Sequence, residues 1–300
     1  MTIQLMLLLL GLSGAESPAA TRWIDAMGGH TVRVGKGLTV DLRATWIGDA
    51  DLGRIAALAE VEKIDLSHTR ITDQGMRHLK RIPSVRSIDL GLAEQITDEG
   101  VQNLKGWKSL ERIELKGTPV TDSTVEMLSR LPALSEIGLG YARVTDTGLS
   151  FLVRLPALSR LTVGGNRITE NGLQSLRAMS RLRRLDLGGQ QRTDSGLWQV
   201  ALTAEGMAAI ATLSALESLS LAETAVTAEL LSVLAPADGT VHLGKLDNLV
   251  LRGCAKIKGE AVAVLGRLKT LRRIDVRNSG LSPEEVASLR AALPQTKVVD

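Results

Sequence analysis

The sequence predicts an α/β solenoid, in which short strands alternate with helices, the strands forming one parallel sheet and the helices packing behind it. Three observations predict this class. An apolar-x-apolar frame recurs at a near-constant step along most of the chain. A second signature, Thr-Asp-x-Gly, follows that frame at a fixed distance in several units. The apolar share is 44%, yet the 300 residues hold only one Phe, one Tyr and four Trp, so the core must be many similar aliphatic layers.

The frame falls at Val40/Leu42, Ile64/Leu66, Ile88/Leu90, Ile113/Leu115, Ile137/Leu139, Leu161/Val163 and Leu185/Leu187, in steps of 24 or 25 residues. It continues at Leu219/Leu221, Leu249/Leu251 and Ile274/Val276 after steps of 34, 30 and 25, and Val298 marks a last strand. Another aliphatic precedes each frame by three residues, as at Val61, Val85 and Leu110. A period of two makes each frame a short strand with its aliphatics inward and the residue between them outward.

Seven or eight residues later the chain reads Ile71-Thr72-Asp73-Gln74-Gly75-Met76, and again Ile96-Thr97-Asp98-Glu99-Gly100-Val101 and Val144-Thr145-Asp146-Thr147-Gly148-Leu149. The Thr is a helix N-cap, and the Asp after it sits favourably at the positive end of the helix. Met76 and Leu79 then face inward at helical spacing. Such a unit cannot bury its apolar side alone, so units must stack.

The pattern L-x-x-L-x-L followed by I-T-D-x-G-L-x-x-L resembles the leucine-rich repeat superfamily, close to its bacterial cysteine-containing and ribonuclease-inhibitor-like types. The resemblance covers roughly residues 38–300. It implies a horseshoe with a concave parallel sheet and convex helices, and a role in protein binding. It also implies that Cys254, in Leu251-Arg252-Gly253-Cys254, is a buried structural thiol.

Residues 1–15 read as a signal peptide: Ile3 to Leu12 is an almost unbroken apolar run, too short to span a bilayer, before the small residues Ser13-Gly14-Ala15. Export to the periplasm or beyond is therefore expected, without stable membrane insertion once the signal is removed; the alternative is a cytoplasmic chain. Residues 16–37 read as an N-terminal cap, with a short amphipathic helix at Trp23–Gly29 and two strands, 31–34 and 38–42, pairing across Gly35-Lys36-Gly37. Two insertions break the period, near 191–200 and 236–244. The first contains Arg192-Thr193-Asp194-Ser195-Gly196-Leu197-Trp198, which reads as a partial second copy of the helix signature. The second carries the turn formers Pro236, Asp238 and Gly239.

Net charge is only +3, from 36 basic and 33 acidic residues. The local clusters Arg181, Arg183, Arg184 and Arg272, Arg273 lack flanking aromatics, so no nucleic-acid partner is expected. A single cysteine excludes an internal disulfide framework. His30, His68, His78 and His242 have no metal-ligand spacing, and Ser67 beside His68 reads as a solvated polar pair. No catalytic constellation, metal or cofactor is expected. An enzyme using Cys254 would need an exposed thiol in an electropositive setting.

Binding is the remaining expectation. The outward strand column reads Asp41, Asp65, Asp89, Glu114, Gly138, Thr162 and Asp186, and its neighbour Arg43, Ser67, Gly91, Lys116, Gly140, Gly164 and Gly188. The sheet's centre thus reads as glycine-lined and open to a partner's backbone, with Tyr141, Arg160, Arg184 and Asp186 around it. Trp46 and Trp198 are secondary candidates, whereas Trp107 reads as core. The expected function is non-catalytic recognition of a protein through the concave face. The rival is an intracellular adaptor that presents substrates to other machinery.

Overall fold

The computed structural model describes residues 18–240 and 242–300; the apolar run assigned to the signal lies outside them. Among the described residues, twelve strands form one sheet. Strand β1 (His30–Val34) runs antiparallel to β2 (Gly37–Asp41), after which every neighbour is parallel. The sheet continues through β3 (Val61–Asp65), β4 (Ser87–Asp89), β5 (Arg112–Glu114), β6 (Glu136–Gly138), β7 (Arg160–Thr162) and β8 (Arg184–Asp186). The chain then leaves it for a separate two-stranded hairpin, β9 (Gln190–Thr193) and β10 (Gly196–Gln199). It returns with β11 (Ser218–Ser220), β12 (Asn248–Val250), β13 (Arg273–Asp275) and β14 (Lys297–Val299).

Registers join equivalent positions: Ile64, Ile88, Ile113, Ile137, Leu161 and Leu185 lie side by side. These side chains and the helical Met76, Leu79, Val101, Leu104, Val125 and Leu128 are buried in one continuous core. Each buried aliphatic contributes about 1.5–3 kcal/mol, so an individually weak five- to seven-residue helix is held by the stack rather than by its own propensity. Trp107 is also fully buried, its indole N–H without a hydrogen-bond partner.

Two residues after each frame the backbone turns through the left-handed region, at Ala44, His68, Leu92, Gly117, Tyr141, Gly165, Gly189, Glu223, Gly253 and Asn278. Except at Gln190 and Ser279 the next residue is buried, and it often satisfies a frame carbonyl. Thr45, Thr69, Thr118 and Thr224 donate their hydroxyls to Leu42, Leu66, Leu115 and Leu221 at 2.6 Å. Asn166 reaches two strands at once, donating to Leu139 and Val163 and accepting from Val144 N–H.

On the helical side the repeats are tied by carboxylates. Asp49 accepts from the backbone N–H (2.7 Å) and hydroxyl (2.6 Å) of Thr72, one repeat further on. The same double bond joins Asp73 to Thr97, Asp98 to Thr121, Asp122 to Thr145 and Asp146 to Thr169. Each Thr hydroxyl thus donates to the preceding repeat while accepting a helix N–H of its own, as from Gln74 and Glu99. The signature glycine follows from this approach. A Cβ at Gly75 would stand 2.5 Å from an Asp49 oxygen, and one at Gly100 or Gly148 would collide with Asp73 or Asp122. Where Thr124 replaces the glycine, its hydroxyl becomes another donor, to Asp98 at 2.5 Å. The expected role of the Asp residues at the helix N-termini is therefore incomplete, because they also cross-link consecutive units.

The segment Arg192–Trp198 differs from expectation: it forms the β9–β10 hairpin, not a helical turn. Thr193 bonds locally to Ser195 and Gly196 instead of capping a helix, and Gly196 takes a positive φ of 113°. It also lacks the inward aliphatics that hold the other short helices in place.

Burial raises the Asp98 pKa, but hydrogen bonds from Thr121 and Thr124 outweigh it and hold the carboxyl below its ordinary range. A depressed folded pKa means that this stabilisation is complete above the unfolded value of about 3.9 and is lost as pH falls through the folded value. Asp98→Ala is expected to cost about 2 kcal/mol in urea unfolding at pH 7, since it strips partners from two amides and two hydroxyls. The difference from wild type should shrink on acidification below about pH 4. A Glu94→Ala control on the rim should stay within about 0.5 kcal/mol.

Candidate functional site

The sheet's solvent face is a charged lattice in its first half. Arg43 bonds Asp65 at 2.8 Å, while Arg112 and Arg160 share Glu136 at 3.1 Å each, bridging three strands. Burial raises the pKa of both Asp89 and Glu114, and each has a neighbouring carboxylate in the column that pushes in the same direction. Asp65 is held low instead: hydrogen bonds from Ser67 and Arg43 overcome its burial. Ser67 is accordingly buried against Asp65, and only His68 faces solvent, so the expected solvated Ser67–His68 pair does not form.

The glycine-lined centre is filled by its own neighbours. A Cβ at Gly138 would overlap the Glu114 carboxylate, and one at Gly164 would overlap the backbone of Gly188. One at Gly165 or Gly189 would strike the Tyr141 ring. Tyr141 therefore lies along the stack, over the left-handed turns of the next two repeats. It occupies that turn itself at a φ of 57°, where the flanking repeats use Gly117 and Gly165. A bulky residue there is strained by about 1 kcal/mol or more. Lys116 Nζ stands 5.4 Å from its ring. Partial burial and the nearby carboxylates of Glu223 and Asp186 raise the phenol's pKa.

Arg160 and Arg184 are neighbours in register and both exposed. Arg160 is paired through Glu136, whereas Arg184 has no carboxylate within ion-pair distance among the described residues. Asp186 accepts from Gly188 N–H at 2.9 Å. Asp186 is near enough to Tyr141 to raise its pKa, and Arg184 lies two residues earlier on the same strand.

Trp46 stands apart at the N-terminal end of the loop rim, 78% exposed with the Arg70 guanidinium 5.1 Å from its ring. Trp198 comes back towards Tyr141. The hairpin folds over the rim, where Gln191 Nε2 donates to Ala142 at 2.8 Å and Gly165 at 2.7 Å. A cavity of about 630 Å³ opens between them, with Tyr141, Arg143, Arg192 and Trp198 in its walls. Sequence reasoning missed this cavity. The available signal was Gln190-Gln191 at the turn where other repeats place a small buried residue, within a step ten residues too long.

Cys254 occupies the same turn position as the buried threonines, fully buried, with Sγ 3.0 Å from the Leu221 carbonyl. Burial pushes its thiol pKa up, the opposite of what a nucleophile needs. No group of three or more His, Cys, Asp or Glu placed to hold a metal occurs among the described residues.

The repeating strand–turn–helix unit, the parallel sheet and the turn ladder define a leucine-rich repeat solenoid fold. The sequence model described as Leucine Rich repeat matches residues 61–79 and 82–105. Among solved structures the chain is similar to an internalin from Listeria monocytogenes str. 4b F2365, at 20% identity and a TM-score of 0.56. The likeness covers 83% of this chain and 69% of that one, and at such identity it concerns the fold. No curated protein matches the chain. Together the matched repeats and the structural likeness show a leucine-rich repeat fold.

Alkylation of Cys254 at pH 8 is expected to be negligible in the folded protein over the time in which a urea-unfolded sample reacts to completion. Fast modification of the folded chain would contradict a purely structural thiol.

Proposed function

We propose that this chain is a non-catalytic recognition protein exported to a bacterial cell envelope, binding a protein partner through the centre of its concave sheet. The carrying observation is Tyr141: the chain keeps a half-buried aromatic in a strained turn where the flanking repeats use Gly117 and Gly165, while Arg184 on the same sheet has no ion-pair partner among the described residues. Strain of this kind persists where surrounding structure and function both demand the residue. Arg and Tyr anchors supply much of the energy of protein interfaces. A partner carboxylate would complete the column in which Glu136 already serves Arg112 and Arg160. Arg160 and Asp186 frame that contact, with Trp46 and Trp198 as outlying contacts on the rim.

Export rests on the apolar run and small-residue site of residues 1–15. No helix among the described residues is long and apolar enough to cross a membrane. The protein recovered from the envelope should therefore begin at Glu16 by intact mass; a chain retaining Met1 in the cytoplasm would refute export.

Affinity capture from the native envelope tests the site, with wild type beside a Tyr141→Ala/Arg184→Glu variant. A partner captured by wild type and lost at least about tenfold in the variant is the expected result. Equal retention would move the site elsewhere, and no partner for either folded protein would overturn the recognition reading.

A further inference from the structure

The inserted hairpin is more than a tolerated loop. Every residue from Gln191 to Ser195 lines the 630 Å³ cavity, whereas β10 contributes Trp198 alone. A strand that presents a face to a cavity contributes alternate residues, because successive side chains point to opposite sides. Gln191, Arg192 and Thr193 are consecutive within β9, which places the cavity beside its edge, while Asp194 and Ser195 reach it from the hairpin turn. Among the described residues β9 pairs with β10 and with no other strand. The cavity's far wall includes Glu94, Pro119 and Arg143, which hold equivalent positions in three successive repeats. At about 4.8 Å per repeat these span about 10 Å, the length of about three extended residues.

We propose that this cavity takes a short extended segment of the protein partner as a third strand on the free edge of β9. One apolar or aromatic side chain of the segment is seated between Tyr141 and Trp198. The inference rests on the reading of the chain as a protein-binding repeat. The mixed walls fit such a segment. Arg143, Arg192, Glu94 and Asp194 line the same space, and among the described residues no ion pair engages any of them. Their hydrogen-bonding capacity is open to the polar neighbours of the anchor. Backbone pairing supplies affinity in strand addition and the side-chain pocket supplies selectivity.

The whole chain would be panned against displayed linear dodecapeptides of random sequence. The leading peptide would then be synthesised plain, and with N-methyl groups on its odd or its even residues. Strand addition predicts that one methylation set weakens binding about tenfold or more while the other leaves it unchanged, because only alternate amides face β9. Trp198→Ala should weaken the plain peptide about tenfold. Recovery of no peptide overturns the proposal, as does a peptide that tolerates both methylation sets or binds Trp198→Ala equally well. Binding of an arrayed oligosaccharide that displaces the peptide and is abolished by Trp198→Ala also overturns it, by assigning the cavity to a glycan. If the peptide arm fails while envelope capture by wild type persists, only the strand-addition proposal falls; failure of both removes the recognition reading as well.

Discussion

The structure depends on a carboxylate reaching forward by one repeat. An aspartate at the first helical position of one unit binds the capping threonine of the next, through both its amide and its hydroxyl. This contact fixes three things together. It orients the threonine so that its hydroxyl caps the following helix, it requires glycine or a donor at the fourth signature position, and it sets the separation of consecutive helices. Since the paired strands are only three residues long in most repeats, this second line of polar contacts on the opposite side keeps the units from rotating about the sheet.

The forward contacts run from Asp49 to Thr169 and end there. Beyond that point Glu170 stands where an aspartate would, and Ala204 and Ala228 follow Thr203 and Thr227. Thr203 and Thr227 still cap their own helices, through Gly206 and Leu230. The hairpin emerges at this break. The sheet and the apolar core pass through it uninterrupted, with β8 pairing directly to β11 across 34 residues of sequence. Apolar burial tolerates the longer step because it is non-directional, whereas a two-point carboxylate bond does not.

The frames were legible in the sequence because inward aliphatics alternate with outward polar residues, and the threonine caps because their spacing to the following apolar residues is helical. The aspartates were read only locally. Their main acceptor role joins residues some 24 apart, and a helix-end charge effect already accounted for them. The glycine columns were misread as an open floor, since nothing in the sequence reveals that the Glu114 carboxylate lies over Gly138 or that the Gly188 backbone closes on Gly164. The hairpin was hidden by its own composition: Thr193-Asp194-Ser195-Gly196 copies the helix signature but lacks the apolar residues that would dock it. Tyr141 and Trp198 were each visible as candidates, but their meeting depends on Gln191 tying the hairpin to the rim.

The repeats before the hairpin are self-consistent units. Each donates one aspartate forward and receives one behind, so copying or deleting a unit leaves every remaining bond intact. Trp46 lies near the start of this series and the hairpin cavity near its end. Gain or loss of one unit would change their separation by about 4.8 Å without disturbing either. The N-terminal half is thus a ruler with fixed graduations, on which evolution can reset the distance between two contact points by whole steps.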